Sequence, residues 1–282
     1  MSHTPGTLFV VATPIGNLSD ASARMVSTLK EVALIAAEDT RHSQPLLNYF
    51  GITTPLCSLH EHNEQSQSVQ LIEKLLNGES IAVISDAGTP GISDPGQVLV
   101  NLAHQKGIPV CPIPGANAAI SLMSVSGFKD SYFLFVGFLP TKNQEKVALL
   151  EKLKHAAYAT VFYEAPHRIK ATIKTLCEYF GETRQVVLGR ELTKLFEEVH
   201  RTTLKEAEEW ISSNANRLKG EYVLVIEGLE IDTDTLDMTR HDKLLTELIE
   251  KLSLSDAVKL AVTITGEKKN FLYERALLLT SP

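Results

Sequence analysis

Short apolar runs alternate with stretches of helical periodicity along the first ~115 residues, a spacing that suits strands joined by helical crossovers. The apolar runs are TLFVVA (7–12), VALIAA (32–37), PLCSLH (55–60), SIAVIS (80–85) and IPVCPI (108–113). They are continuous rather than alternating, which predicts strands covered on both faces and therefore a parallel sheet. Between them the periodicity predicts helices over 20–30, 42–50, 65–77 and 95–106. Gly51, Gly78 and Gly107 stand where a residue just past a helix end belongs. Five strands and four crossovers make one open α/β domain over 1–117.

The pattern then restarts. PGANAAISLMSVSG (114–127) reads as a turn and an apolar helix. Strands follow over 132–138, 159–164, 186–190, 197–203 and 221–227, with helices over 143–154, 166–180 and 204–214. LGRELTKLFEEVHRTTL reads as two strands joined by a loop, which adds antiparallel pairing and makes the sheet mixed. This gives a second α/β domain over 118–229. The polar, acidic EIDTDTLDMT predicts a linker over 230–240. Three short helices, 241–252, 255–265 and 268–279, complete a C-terminal helical segment over 241–282. Ser255 is placed as an N-cap, and Gly266 separates the last two helices.

Composition narrows the class. Hydrophobic residues make up 44% of the 282, enough for real cores, and the charged fraction of 22% is ordinary for a globular chain. No run of ~18 apolar residues occurs. The N-terminus has no basic region leading into a long apolar stretch. Cys57, Cys111 and Cys177 lie far apart without metal-ligand spacing. A cytoplasmic protein with free thiols is expected. The net charge of −7 argues against non-specific nucleic-acid binding. One stretch differs: over 138–175, seven Lys and Arg face three Asp and Glu. It is either a solvated helix face or a surface for a polyanion.

Turn-rich sequences follow each strand of the first half: TPIGNLSD (13–20), EDTRHS (38–43), HEHNE (60–64), SDAGTPGISDPG (85–96) and PGAN (114–117). Those are the carboxyl ends of parallel strands, where open α/β sheets bind ligands. The first strand end has one Gly rather than G-x-G-x-x-G, and no G-x-x-x-x-G-K-[ST] exists, so a phosphate cradle is poorly supported. HExxH, CxxC and G-x-S-x-G are absent too. His60 and His62, taken as strand residues, would point to opposite faces, so no metal is expected. What the rim offers is backbone: Ala87-Gly88-Thr89-Pro90-Gly91 and Pro114-Gly115-Ala116 can bring amide and carbonyl groups close to a ligand.

VATPIGNLSD, AAEDTRHS, HEHNE, SDAGTPGISDPG, PIPGANAAI, GFLP, FYEAPHRI, RELTK and KGEYVLVIEG, in this order, resemble the ribosomal RNA small subunit methyltransferase I family of the tetrapyrrole-methylase superfamily. The resemblance spans residues 3 to 280 or so. It implies S-adenosylmethionine as methyl donor and 2′-O-methylation of a cytidine ribose, position 1402 of 16S rRNA in the small ribosomal subunit. It also implies two α/β domains of the tetrapyrrole-methylase type, one with a parallel and one with a mixed sheet, and a homodimer. Donor contacts are then expected from Ser85, Asp86, Ala87, Gly88, Thr89, Pro114, Gly115 and Ala116. Phe162, Tyr163, Glu164, Ser126 and Leu192 are expected to close the donor site from the second domain.

For methyl transfer to a ribose hydroxyl, a proton acceptor near the oxygen helps. Glu38, Asp39 and Arg41 form the preferred acceptor-handling cluster. Glu164, His167 and the Arg190-Glu191 pair are alternatives, and Asp39 or Thr40 doubles as a helix N-cap. Asn17, Lys142, Arg168, Lys268 and Lys269 are the candidate RNA contacts. Two rival readings remain. A tetrapyrrole-type small-molecule methyltransferase would share the donor site but need a large apolar acceptor cavity. A non-catalytic ribosome-assembly RNA-binding protein would need no donor site.

Overall fold

The computed structural model describes residues 4–129, 132–230 and 233–280. Two five-stranded sheets share one compact unit that ends at Gly228. In the first, β1 (Leu8–Val11), β2 (Leu34–Ala37), β3 (Leu56–Ser58), β4 (Ile81–Ile84) and β5 (Val110–Ile113) are all parallel, in the order β3-β2-β4-β1-β5. The crossovers contain α1 (Ala23–Glu31), α2 (Thr40–Tyr49), α3 (Glu64–Leu76) and α4 (Gln97–Gln105). Leu8, Ile81 and Val83 pack with Leu71, Leu75 and Leu99 from α3 and α4. On the opposite face Ile35, Ala82 and Ile84 pack with Met25, Leu29 and Leu47 from α1 and α2. This double coverage is why the strands read as continuous apolar runs.

The second sheet has the order β6-β7-β10-β8-β9. Its strands are β6 (Phe133–Phe138), β7 (Ala159–Glu164), β8 (Gln185–Arg190), β9 (Glu198–Thr203) and β10 (Tyr222–Ile226). Only β6 and β7 pair in parallel; the other pairings are antiparallel, so the sheet is mixed as expected. α5 (Ala118–Ser126) covers one face, where Ala119 and Leu122 meet Val161, Val187 and Val225. α6 (Asn143–Leu153), α7 (Ile169–Phe180) and α8 (Leu204–Ser212) cover the other, meeting Phe162, Leu188 and Leu224. Successive strand residues thus serve opposite faces, as the pleat requires.

A second compact unit runs from Leu229. It holds α9 (Thr233–Ile249), α10 (Leu254–Thr265) and α11 (Lys269–Thr280), packed around Leu245, Val258, Ala261 and Leu272. Arg275 donates twice to Asp242, at 2.6 Å each, and ties α11 to α9.

Three expectations change. The linker over 230–240 is helical from Thr233 onward, because the pattern of α9 extends through an acidic stretch that reads as coil by composition; residues 231 and 232 lie outside the described residues. The N-cap of α10 is Ser253, not Ser255: its hydroxyl accepts from the Asp256 amide at 3.2 Å. His60 and His62 lie beyond the end of β3, in a turn where their rings meet edge to face at 5.9 Å, rather than on opposite faces of a strand.

Candidate active site

The five turn-rich segments emerge at one edge of the first sheet, because all five strands are parallel. β2 and β4 are neighbours although they are not consecutive, with Ala37 opposite Ile84. That adjacency puts EDTR beside SDAG. The Asp86 amide donates to Glu38 Oε2 at 3.3 Å, and the Asp39 amide donates to Asp86 Oδ1 at 3.1 Å. Thr13 and Gly88 exchange backbone hydrogen bonds at 2.8 and 3.2 Å, joining the loops after β1 and β4. The Thr89 hydroxyl donates to Ala116 O at 3.4 Å and adds the loop after β5.

A cleft of about 390 Å³ opens between this edge and the second sheet. Ile15, Glu38, Asp86–Thr89 and Ile92–Asp94 line it from the first half. Asn117, Ala118, Phe138, Tyr163–Pro166, Leu192, Lys194 and Glu221–Val223 line it from the second. Its charged lining is Glu38, Asp86, Asp94, Glu164 and Glu221 against one cation, Lys194. Lys194 Nζ is held 3.0 Å from both Glu191 Oε1 and Glu221 Oε2. The cleft is therefore acidic, which suits a cationic ligand and disfavours a phosphate.

Burial raises the Glu38 carboxyl, and the Asp86 and Asp39 charges add to it; the Asp86 amide opposes. Asp94 is pushed up to about 6, first by burial and then by the negative charges of Glu38 and Asp86, with the Ser85 hydroxyl pulling the other way. Burial also raises the Tyr163 phenol. Burial pushes Glu191 up, but the Glu221 amide and Lys194 outweigh it and bring it below its ordinary value. Two loop residues next to the cleft, Ser93 and Thr193, have φ of 68° without being glycine, and Glu191 has 49°. Such backbone costs energy and clusters at functional sites.

The expected residues divide. Glu38, Asp86, Ala87, Gly88, Thr89, Tyr163, Glu164 and Leu192 line the cleft. Asp39 caps α2 and holds Arg41, with Oδ1 accepting from the Arg41 amide at 2.8 Å and Oδ2 from Nη2 at 2.7 Å. That guanidinium holds the Asp39 carboxyl well below the usual carboxylate range. The Arg41 side chain is 88% exposed, so the pair stands on the rim rather than in the cleft.

Others are placed elsewhere. Phe162 is fully buried against α6–α8, because strand alternation turns it away from the cleft while Tyr163 faces it. Ser85 is buried beneath the loop, its hydroxyl 3.4 Å from Ala87 O. Ser126 sits at the far end of α5, where its hydroxyl accepts from the Phe128 amide and its carbonyl from Arg201. Pro114 and Gly115 support the loop without lining the cleft; a Cβ on Gly115 would meet Ala12 Cβ at 2.9 Å. Ala116 acts through its carbonyl.

Of the RNA candidates, Asn17 caps the turn Leu18–Asp20 by accepting from the Ser19 amide at 3.0 Å. Arg168 is engaged internally, 3.2 Å from Glu164 Oε1 and donating to Leu139 O at 2.6 Å. Lys142 is exposed and pairs with Glu145. Lys268 and Lys269 are exposed at the start of α11. Of the alternative proton acceptors, Arg190 is a scaffold group, donating to Lys219 O, Phe196 O and Asn216 O. Asp94, Asn117, Phe138, Lys194, Glu221 and Tyr222 were not singled out individually, yet each lies in a quoted block: SDPG, PGAN, GFLP, RELTK and KGEYV. Among the described residues no cluster of three or more His, Cys, Asp or Glu is arranged to hold a metal ion.

Residues 7–208 match the family model for Tetrapyrrole (Corrin/Porphyrin) Methylases. Residues 235–280 match the model of the RsmI C-terminal HTH domain. A "Ribosomal RNA small subunit methyltransferase I" from Pseudomonas aeruginosa is 45% identical over 96% of this chain and 97% of its own. The protein of that name from Haemophilus influenzae is 44% identical over 98% of each. Among solved structures, a diphthine synthase superposes with a TM-score of 0.61 at 16% identity, covering 79% of this chain and 89% of that one. A uroporphyrin-III C-methyltransferase from Thermus thermophilus, in complex with S-adenyl homocysteine, gives 0.54 at 15% identity over 79% and 97%. The two structural likenesses speak to the fold.

Proposed function

Because the chain belongs to the tetrapyrrole methylases and, within them, to the ribosomal RNA small subunit methyltransferase I family, we propose that it transfers a methyl group from S-adenosylmethionine to the 2′-hydroxyl of a cytidine ribose, position 1402 of 16S rRNA. The observation that carries the donor assignment is the acidic cleft with its backbone-rich wall. S-adenosylmethionine brings a methyl group on a positively charged sulfur and carries no phosphate. The cleft fits such a ligand: five carboxylates line it against one Lys, and its volume falls in the ~300–1,000 Å³ range of small-ligand sites. Gly88 (φ 82°) keeps the wall open, since a Cβ there would stand 3.3 Å from Ile15 and 3.7 Å from Ala116 O.

In this reading Asp86–Thr89, Tyr163 and Leu192 hold the donor. Ser85, Pro114, Gly115 and Ala116 brace the loops that do so, and Glu164 orders the opposite wall through Thr172 and Arg168. Glu38 faces the reacting centre, while Asp39 and Arg41 on the rim engage the acceptor strand. Positioning supplies much of such an acceleration, since a bimolecular displacement becomes intramolecular in effect. Lys142 and, on the C-terminal unit, Lys268 and Lys269 offer exposed charge for RNA phosphates. Arg168 and Asn17 are weaker contacts, because their side chains already hold internal bonds. A homodimer acting in the cytoplasm belongs to the same reading.

The test supplies small subunits from a strain lacking this gene, and a tetrapyrrole such as uroporphyrinogen, with labelled S-adenosylmethionine. Label entering the rRNA is expected. Label in the tetrapyrrole alone would favour the small-molecule activity, and donor binding without transfer would favour an RNA-binding role.

A further inference from the structure

We propose that Asp94 is the group that takes the proton from the acceptor hydroxyl, an assignment that rests on the methyl-transfer reading above. Asp94 stands on the cleft wall at the end of the long loop after β4. The residue before it, Ser93, is wedged between the sheets. Its backbone is left-handed at φ 68°, and its hydroxyl lies so near β6 that a Cβ on Gly137 would come within 3.1 Å. Gly137 sits at the bulge of β6, itself at φ 75°. Strained backbone of this kind persists where the surroundings over-determine it. The loop is thus fixed where the first half of the cleft meets the second.

The other carboxylates have structural duties. Glu38 accepts from the Asp86 amide and Asp86 from the Asp39 amide. Glu164 accepts from the Ala165 amide at 2.8 Å and the Thr172 hydroxyl at 2.6 Å, and pairs with Arg168. Glu221 pairs with Lys194. Asp94 has the Ser85 hydroxyl for a partner, and that hydroxyl also reaches Ala87 O.

Burial raises the basicity of Asp94 first, and two charges add to it, Glu38 from the end of β2 and Asp86 from the same loop, while the Ser85 hydroxyl opposes. Tyr163 faces it from β7, its own phenol raised by burial and by the Asp94 charge. Asp94 is thereby pushed up to about 6, where a carboxylate is both ionised at neutral pH and a better base than an ordinary Asp.

The step balances. The acceptor O–H bond breaks and its proton passes to the Asp94 carboxylate. The oxygen electron pair forms the new C–O bond to the methyl carbon. The S–C bond breaks with its pair remaining on sulfur, which becomes a neutral thioether. The proton then leaves Asp94 for solvent.

The experiment compares wild type, Asp94→Asn and Asp94→Glu by donor calorimetry and by methyl transfer into unmodified small subunits from pH 5 to 9. For wild type, kcat should rise about tenfold per pH unit below ~6 and then level. Asp94→Asn should lose ~10²–10⁴-fold in kcat and lose the acid limb, with donor affinity and KM for subunits little changed and no loss of folding stability. Asp94→Glu should recover part of kcat with a displaced limb. An Asp94→Asn enzyme that keeps its kcat, or keeps the same acid limb, would assign the proton to another group. Loss of donor binding would make Asp94 a donor-holding residue instead. A wild type that binds donor but labels no subunit would overturn the underlying reading as well.

Discussion

The Glu38 carboxylate accepts the Asp86 amide, and the Asp86 carboxylate accepts the amide of the residue after Glu38. This reciprocal brace joins the ends of β2 and β4, two strands that are neighbours in the sheet but lie more than 40 residues apart. It holds two carboxylates on one side of a cleft and so sets the field felt by Asp94.

Charge and hydrogen bonding at Glu38 separate by substitution. Glu38→Gln keeps an oxygen for the Asp86 amide and should unfold close to wild type. Glu38→Ala leaves that amide without its acceptor and should cost about 1 kcal/mol, a shift readable in the urea midpoint. Glu38→Gln also removes the largest negative neighbour of Asp94, so the acid limb of the methylation profile should move to lower pH.

Asp94 also affects stability. Its folded value lies above that of an unfolded Asp, so its contribution is full below pH ~4 and is lost as pH rises toward 6. Asp94→Asn should therefore gain on wild type, in unfolding free energy, between pH 4 and 7. Urea melts at the two pH values check the sign; a variant that gains nothing on wild type over that window would contradict it.

Gly115 supports the cleft wall from behind. Gly115→Ala would place a methyl 2.9 Å from Ala12 Cβ and 3.3 Å from its carbonyl oxygen. Overpacking of this kind costs ~1–3 kcal/mol. The expected outcome is a lower melting temperature together with weaker donor binding, because the neighbouring Ala116 carbonyl anchors Thr89.

Much of this was legible in the sequence, for reasons that differ by residue. The rim of loops follows from parallel strands, whose carboxyl ends must share one edge, so Asp86–Thr89 could be picked out from strand endings alone. Phe162 could not be placed: FYE is one strand, and which of its residues faces the cleft depends on which face α5 covers. Asp94 escaped because its perturbation comes first from burial in the cleft and then from Glu38, brought near by a strand order that is not sequential. Lys194 escaped because its importance lies in Glu221, which is distant in sequence but precedes β10, the strand beside β8. The start of α9 was hidden by composition, since an acidic run reads as coil until its neighbours show the helix.

Asp39 and Arg41 test the rim. Asp39→Ser keeps a side-chain oxygen for capping α2 but releases Arg41. It and Arg41→Ala should both raise KM for the small subunit while donor affinity stays unchanged. Unchanged kinetics in both would reduce the pair to a helix cap.

The most direct test of the central claim is nucleoside mapping. Small subunits lacking the modification are treated with the protein and isotopically labelled S-adenosylmethionine, and the digested 16S rRNA is resolved by mass spectrometry. The account predicts one labelled nucleoside, a 2′-O-methylated cytidine at position 1402, dependent on Asp94. Label on a base, or on many riboses, would contradict it.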